Sequence, residues 1–185
     1  MGRIEDLAAE YERHICVPWQ RTITGAQRVV MVVYEKHLER TLRARLGEFE
    51  QRTTRHGHPW INYDCTTLFA EWMAAADYRE AYFESPDDLD MKLRDEFLDY
   101  VAEPLREQLL AADADTVVAM TGVASLYGFA RVSDVIRSVE PDIAGRLVVF
   151  FPGTKDDNVY RLLDARDGWN YQAHCITVHD AGGTA

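Results

Sequence analysis

An α/β domain is the fold class this sequence predicts, and three observations predict it. Short runs rich in β-branched and aromatic residues recur along the chain: Arg28–Tyr34, Trp60–Tyr63, Asp115–Met120 and Arg146–Phe151. Most of these are apolar at consecutive rather than alternate positions, the pattern of strands covered on both faces in a parallel sheet. The stretches between them carry apolar residues at helical spacing, which supplies the covering layers. With 185 residues, 47% of them apolar and 28% charged, the chain is long enough for one domain with a sizeable core and leaves little room for two.

Residues 1–26 hold Ile4, Leu7 and Tyr11 at helical spacing, then Pro18 and Gly25, and are expected to form a helical arm and linker ahead of a domain spanning 27–180. Arg28–Tyr34 is too β-branched for a helix and reads as the first strand. Glu35–Arg55 follows as a helix with Leu38, Leu42, Leu46 and Phe49 on one face, broken by His56-Gly57-His58-Pro59. Trp60–Tyr63 is the second strand, feeding a helix from Thr66 or Thr67 through Met73. Ser85-Pro86 has the form of an N-cap and first helical residue. The helix it opens, Asp88–Ala112, repeats Leu89, Leu93, Phe97, Val101, Leu105 and Leu109 at every fourth position, and Pro104 should kink or divide it.

Asp115–Met120 is the third strand, closing at Thr121-Gly122, and Ser133–Val139 is a short helix capped by its serine. Arg146–Phe151 is the fourth strand, for which Pro152-Gly153 predicts a sharp exit. Tyr160–Asp164, a turn around Asp167-Gly168 and a last strand His174–Val178 complete the domain, with 181–185 expected as a disordered tail. The sum is a single, mainly parallel sheet flanked by helices, Rossmann-like or P-loop-like.

A net charge of −11 argues against broad binding of nucleic acid. The acidity is concentrated: residues 59–115 hold 15 acidic groups against 4 basic ones. Most lie in Asp77–Asp115, including Asp87, Asp88, Asp90, Asp95 and Asp99, which make either a solvated helix face or a docking surface for a basic partner. Cys16, Cys65 and Cys175 are an odd number at irregular spacing with no secretory leader ahead of them, which predicts a reduced, cytoplasmic protein. The longest apolar runs, such as Leu147–Pro152, fall far short of the ~20 residues that span a bilayer.

Ligands of such a sheet bind beyond the carboxyl ends of its strands. The loop after the first strand, Tyr34–Arg40, has no glycine and so cannot form a phosphate cradle, and Lys36 and Thr41 do not replace one. Asp64, ending the second strand, is a helix cap in one reading and a ligand for a metal or a ribose hydroxyl in the other. His56, His58 and Cys65 lack a fourth ligand at a zinc spacing, and Cys65 as a nucleophile would need a base and a lowered pKa. Neither a metal nor a cofactor is expected. Thr121-Gly122 opens a glycine-punctuated loop carrying Tyr127 and Arg131. Either Arg131 and the following helix bind an anion, or Arg131 pairs with a carboxylate while Tyr127 and Phe129 pack. Asn158–Tyr171, with Tyr160, Arg161, Asp164, Arg166, Trp169, Asn170 and Tyr171, is a polar network locking the sheet edge or the centre of an interface.

Thr121-Gly122-Val123 with Tyr127 and Arg131, then Val149-Phe150-Phe151-Pro152-Gly153, then Asn170-Tyr171, in that order, resemble the BrxB family of bacteriophage-exclusion (BREX) defence systems over roughly residues 28–178. Members often extend the Asn-Tyr pair with a further tyrosine, an arginine and a phenylalanine. This chain reads Gln172-Ala173-His174 there, as a divergent branch would. The resemblance implies a small protein without known catalytic activity, encoded beside a PglZ alkaline-phosphatase-like protein and a DNA methyltransferase, that assembles with larger components. The expected role is a non-catalytic adaptor binding a PglZ-like partner through some combination of the acidic helices and the Tyr127/Arg131 and Arg161–Tyr171 loops. Two alternatives stand beside it. In one, Asp64, Arg131 and Asp164 converge on a nucleotide or phosphorylated ligand, with Mg²⁺ on the carboxylates. In the other, Arg40, Arg43, Arg45, Arg52 and Arg55 contact DNA directly.

Overall fold

The computed structural model describes residues 2–166 and 168–178. In chain order the elements are α1 (Arg3–Ile15), β1 (Val29–Tyr34), α2 (Glu39–Arg55), β2 (Trp60–Asp64), α3 (Leu68–Ala75), α4 (Arg79–Glu84), α5 (Leu89–Lys92), α6 (Leu98–Ala111), β3 (Val117–Thr121), α7 (Val132–Val139), β4 (Arg146–Asp156), β5 (Val159–Leu162), β6 (Trp169–Asn170) and β7 (His174–Ile176). The main sheet runs β2-β3-β4-β1-β7 with every neighbouring pair parallel, and β5 and β6 extend β4 as an antiparallel offshoot. The predicted α/β class is the observed one.

Alternate residues of the strands supply two cores. Val30, Val32, Val148 and Phe150 face α1 and α2, where Tyr11, Leu42 and Phe49 are buried with them. Val29, Met31, Val33, Val149 and Phe151 point the other way, onto the layer of α6 and α7 with Phe97, Val101, Leu105 and Ile136. That two-sided demand is why β1 and the start of β4 are apolar at successive positions. The helix expected as an N-terminal arm is present as α1 and lies against the sheet, with Ile4, Leu7, Ala8, Tyr11 and Ile15 buried. Its Tyr11 hydroxyl reaches Thr53 Oγ1 at 2.6 Å, and Thr53 donates in turn to the Phe49 carbonyl at 2.7 Å. The segment after it is pinned by Trp19, which stacks on His58 at 3.8 Å and lies under the buried Arg146 guanidinium at 4.7 Å.

Several expected boundaries shift, each for a physical reason. The four-residue repeat from Leu89 to Leu109 does not form one α-helix. A strict i, i+4 stripe drifts by about 40° per step around an α-helix. A π turn at Leu93–Phe97 takes up part of that drift, keeping Leu93, Phe97, Val101, Leu105 and Leu109 all buried. The division therefore falls at the π turn and not at Pro104, which sits on the exposed side within α6. The predicted exit at Pro152-Gly153 is also corrected, since β4 continues to Asp156. Pro152 stands where the strand's pairing changes from parallel β1 to antiparallel β5, and its carbonyl accepts from Leu163 N at 2.9 Å. At Gly153 a Cβ would lie 2.0 Å from the Arg161 carbonyl oxygen, so only glycine lets β5 come this close. The turn is made later, at Asp157 with φ 50°, in the positive-φ geometry of a two-residue hairpin.

The cap of α7 is Arg131, not Ser133, which is buried in the first turn. The last strand ends at Ile176, two residues earlier than expected. Asp167 and the 181–185 tail lie outside the described residues.

Candidate functional site

At the carboxyl ends of the strands the polar side chains bind one another. After β1, a single extended residue, Glu35, leads into a 3₁₀ turn at Lys36–Leu38, and the Leu38 amide is spent on the Glu35 carbonyl at 2.9 Å. Tyr34 donates its hydroxyl to Glu39, whose other oxygen accepts Arg43 Nε at 2.8 Å, and Arg43 Nη2 reaches Thr66 Oγ1 at 3.1 Å. Burial first, and Glu39 second, push the Tyr34 phenol well above its ordinary range, so it stays a donor. The chain of contacts ends at Asp64, whose Oδ1 accepts the Thr66 amide at 2.9 Å and the Thr66 hydroxyl. Asp64 thus fixes the turn ahead of α3 and is not its cap, which is Thr67, because its carboxylate is taken by Thr66 two residues on.

Gly122 is part of the same corner. Its φ of +68° is left-handed, and a Cβ there would meet Thr66 Oγ1 at 2.4 Å and Asp64 Oδ1 at 2.6 Å. Thr121 joins through its carbonyl, which accepts the Cys65 amide at 2.9 Å, and its hydroxyl, 3.3 Å from Asn62 Oδ1. Asp64, Thr121 and Gly122 are therefore neighbours. Asp164 belongs elsewhere: it pairs with Lys36. Arg131 is exposed and makes no ion pair among the described residues. No hydrogen bond or ion pair links any two of Asp64, Arg131 and Asp164 among the described residues.

The loop after β3 and the hairpin after β4 divide the remaining candidates. Tyr127 is 50% exposed and does not pack as one reading required, whereas Phe129 stacks on Phe69 at 3.6 Å. Pro152 and Gly153 lead into an aromatic cluster of Phe151, Tyr160, Trp169 and Tyr171, with ring centroids 5.2 to 6.4 Å apart. Tyr171 donates to Glu140 and Arg161 donates to the Arg166 carbonyl. Asn170 pairs with Val159 across the hairpin. These contacts hold β5 and β6 against the end of β4.

The five arginines considered for DNA contact mostly serve the fold. Arg45 pairs with Glu5 and Glu48, Arg52 and Arg55 with Glu12, and Arg43 with Glu39; Arg40 is exposed. The zinc candidates part company as well. His56 Nε2 lies 3.0 Å from Glu12, His58 Nδ1 lies 2.9 Å from the Asp115 carbonyl, and Cys65 is fully buried. Burial and the neighbouring Asp64 push the Cys65 thiol up, against thiolate chemistry.

Two features escaped the sequence reading. A cleft of about 460 Å³ opens at the carboxyl ends of β1, β4 and β7, with Tyr34, Lys155, Cys175 and Thr177 among its walls. The second is apolar exposure within the acidic segment, at Tyr78, Phe83 and Met91. The signal for it was available: large apolar residues standing off the four-residue repeat, in a stretch otherwise given to carboxylates. Asp87, Asp88, Asp90, Asp95 and Asp99 are all exposed. No helix among the described residues is long and apolar enough to cross a membrane.

These observations define an α/β protein whose mostly parallel sheet is covered by helices on both faces. A family model described as BREX protein BrxB matches residues 66–176, well over half of the chain, and the chain belongs to the BrxB family. Membership makes it a component of BREX phage defence. The matched span contains the Thr121-Gly122-Val123, Phe150-Phe151-Pro152-Gly153 and Asn170-Tyr171 stretches, and begins after β2. No curated protein matches the chain. No solved structure matches it either.

Proposed function

We propose that the chain is a non-catalytic adaptor of a BREX-like defence system that binds a PglZ-like protein of the alkaline-phosphatase superfamily. The observation that carries this reading is the mutual pairing of the polar groups at the strand ends. Tyr34, Glu39, Arg43, Thr66 and Asp64 form one connected chain, and Lys36 is held by Asp164. Groups that grip a phosphate or move a proton need free donors, acceptors or a perturbed pKa aimed at open space. Here they fix loops instead. Family membership supplies the system, and the exposed surfaces of α4, α5 and the Tyr127 loop supply area for a partner.

Co-expression with a PglZ-like protein from a BREX system, followed by affinity capture and size-exclusion chromatography, tests the proposal. A co-eluting complex is the expected result. Elution of each protein alone overturns it, as does turnover of ATP by the purified chain that Asp64→Asn abolishes.

A further inference from the structure

Helix α4 buries none of its residues. Isolated helices this short are unstable in water, and in proteins they persist because one face is packed. Here the large apolar side chains of the segment point to solvent: Tyr78 is 70% exposed, Phe83 72% and Met91 78%. An open hollow of about 520 Å³ lies beside Tyr78, lined by alanines together with Asp77, Arg79 and Glu80. Other exposed apolar residues, such as Val17 and Leu110, are far apart in the chain and need no explanation, whereas three of the most exposed fall in this one segment.

The charge of this segment selects its occupant. Asp77, Glu80, Glu84, Asp87, Asp88 and Asp90 are exposed and make no ion pair among the described residues. Lys92, beside them, is engaged by Glu96 at 3.2 Å and lies over the Tyr82 ring at 5.9 Å. From Asp77 to Asp99 nine carboxylates stand against three cations. A second copy of this chain would bring the same carboxylates against themselves. Nucleic acid and anionic lipid would be repelled. A cationic segment gains on both counts, since Lys and Arg stems cover apolar and aromatic surface while their heads meet carboxylates.

We infer that α4, with the turn leading into α5, is the docking face for a cationic segment of the partner protein, anchored by apolar contacts at Tyr78, Phe83 and Met91 and oriented by Asp87, Asp88 and Asp90. The inference rests on the adaptor reading and names the surface it uses.

The test measures affinity for the purified PglZ-like protein across a salt series. Tyr78→Ser/Phe83→Ser/Met91→Ser and Asp87→Lys/Asp88→Lys are compared with Glu50→Lys/Glu107→Lys, which makes the same charge change elsewhere. Thermal melts confirm that each variant is folded. Both face variants are expected to bind at least roughly tenfold more weakly, the control to stay within about twofold of the wild type, and wild-type affinity to fall with salt. Wild-type binding that the face variants keep overturns the docking face and leaves the adaptor reading standing. A wild type that binds no partner overturns both. Low-salt binding of duplex DNA or phosphatidylserine vesicles that the face variants lose assigns the face to another class of ligand and overturns the inference.

Discussion

The two charged helical surfaces of this molecule use their charge in opposite ways. On the α1–α2 side nearly every arginine has a carboxylate: Arg45 with Glu5, Arg52 and Arg55 with Glu12, Arg43 with Glu39. On the α4–α5 side Lys92 and Glu96 pair, and the remaining carboxylates point to water. What separates the two lies beneath the charges. α2 is seated on Leu42, Phe49 and Thr53, and from that fixed backbone Arg45, Arg52 and Arg55 staple it to glutamates of α1, while Arg43 pairs with Glu39 within α2. α4 buries none of its own residues. Charge over a packed face serves the fold, and charge over an unpacked face is left for something outside it.

Removing the packing is the strongest way to break this comparison. Phe49 is fully buried, edge-on to Phe150 at 5.0 Å and tilted against Tyr11 at 5.4 Å. Phe49→Ala is expected to cost about 3–5 kcal/mol in urea unfolding. Acid comes next. His14 stacks on His174 with ring centroids 3.7 Å apart, and burial, then the charges of His174 and Arg146, hold its pKa down to about 4 from about 6.5. The unfolded chain then takes up a proton that the folded one refuses, so stability is full above pH 6.5 and falls as the pH drops toward 4. Glu12 acts in the same direction lower down: its hydrogen bond with His56 and its Arg52 contact hold its carboxyl below the ordinary range, and that contribution is lost as pH falls through the folded pKa. The melting temperature should therefore drop from pH 7 to pH 4, and His14→Gln should flatten the upper part of that slope.

A smaller effect isolates one staple. Glu12→Ala at neutral pH should lower stability by about 1 kcal/mol, read from the shift in denaturation midpoint, because it strands Arg52 and His56 together. The smallest effect sharpens the contrast most. Phe83→Ala and Asp87→Ala are expected to stay within about 0.5 kcal/mol of the wild type in the same assay. A cost near that of Phe49→Ala would mean that the α4 surface is part of the fold after all.

How far the residues alone disclose this structure depends on whether a feature is local. β1, α2 and the third strand could be read closely because consecutive or 3.6-spaced apolar residues are local patterns. The family resemblance rested on short stretches whose order survives in the chain. The continuation of β4 through Pro152-Gly153 could not be read in the same way: proline and glycine ordinarily signal a turn, and their tolerance here depends on β5 arriving with its Arg161 carbonyl against Gly153. The π turn at Leu93–Phe97 could have been anticipated, because a stripe repeating at four cannot stay on one side of an α-helix. Asp64 was read as a helix cap or a ligand residue, yet it closes a turn onto Thr66 ahead of the true N-cap, Thr67, and its link to Arg43 through Thr66 joins residues brought together only by tertiary packing. Neither could the acidic stretch disclose that α4 would be left without a buried face, because that depends on what the other helices do not cover.

The placement of β1 in the sheet has a consequence for how the protein is made. β1 lies between β4 and β7, yet those strands begin at Arg146 and His174. As the chain leaves the ribosome, Val-Val-Met-Val-Val emerges well ahead of both strand neighbours and stays unpaired until β4 and β7 follow, a condition that favours sticking to other nascent chains. α1 and α2 are the earliest elements able to shield one side of it. Interactions between the arginines of α2 and the glutamates of α1 would then matter most during synthesis, when they hold a provisional cover over the strand that waits longest for its place.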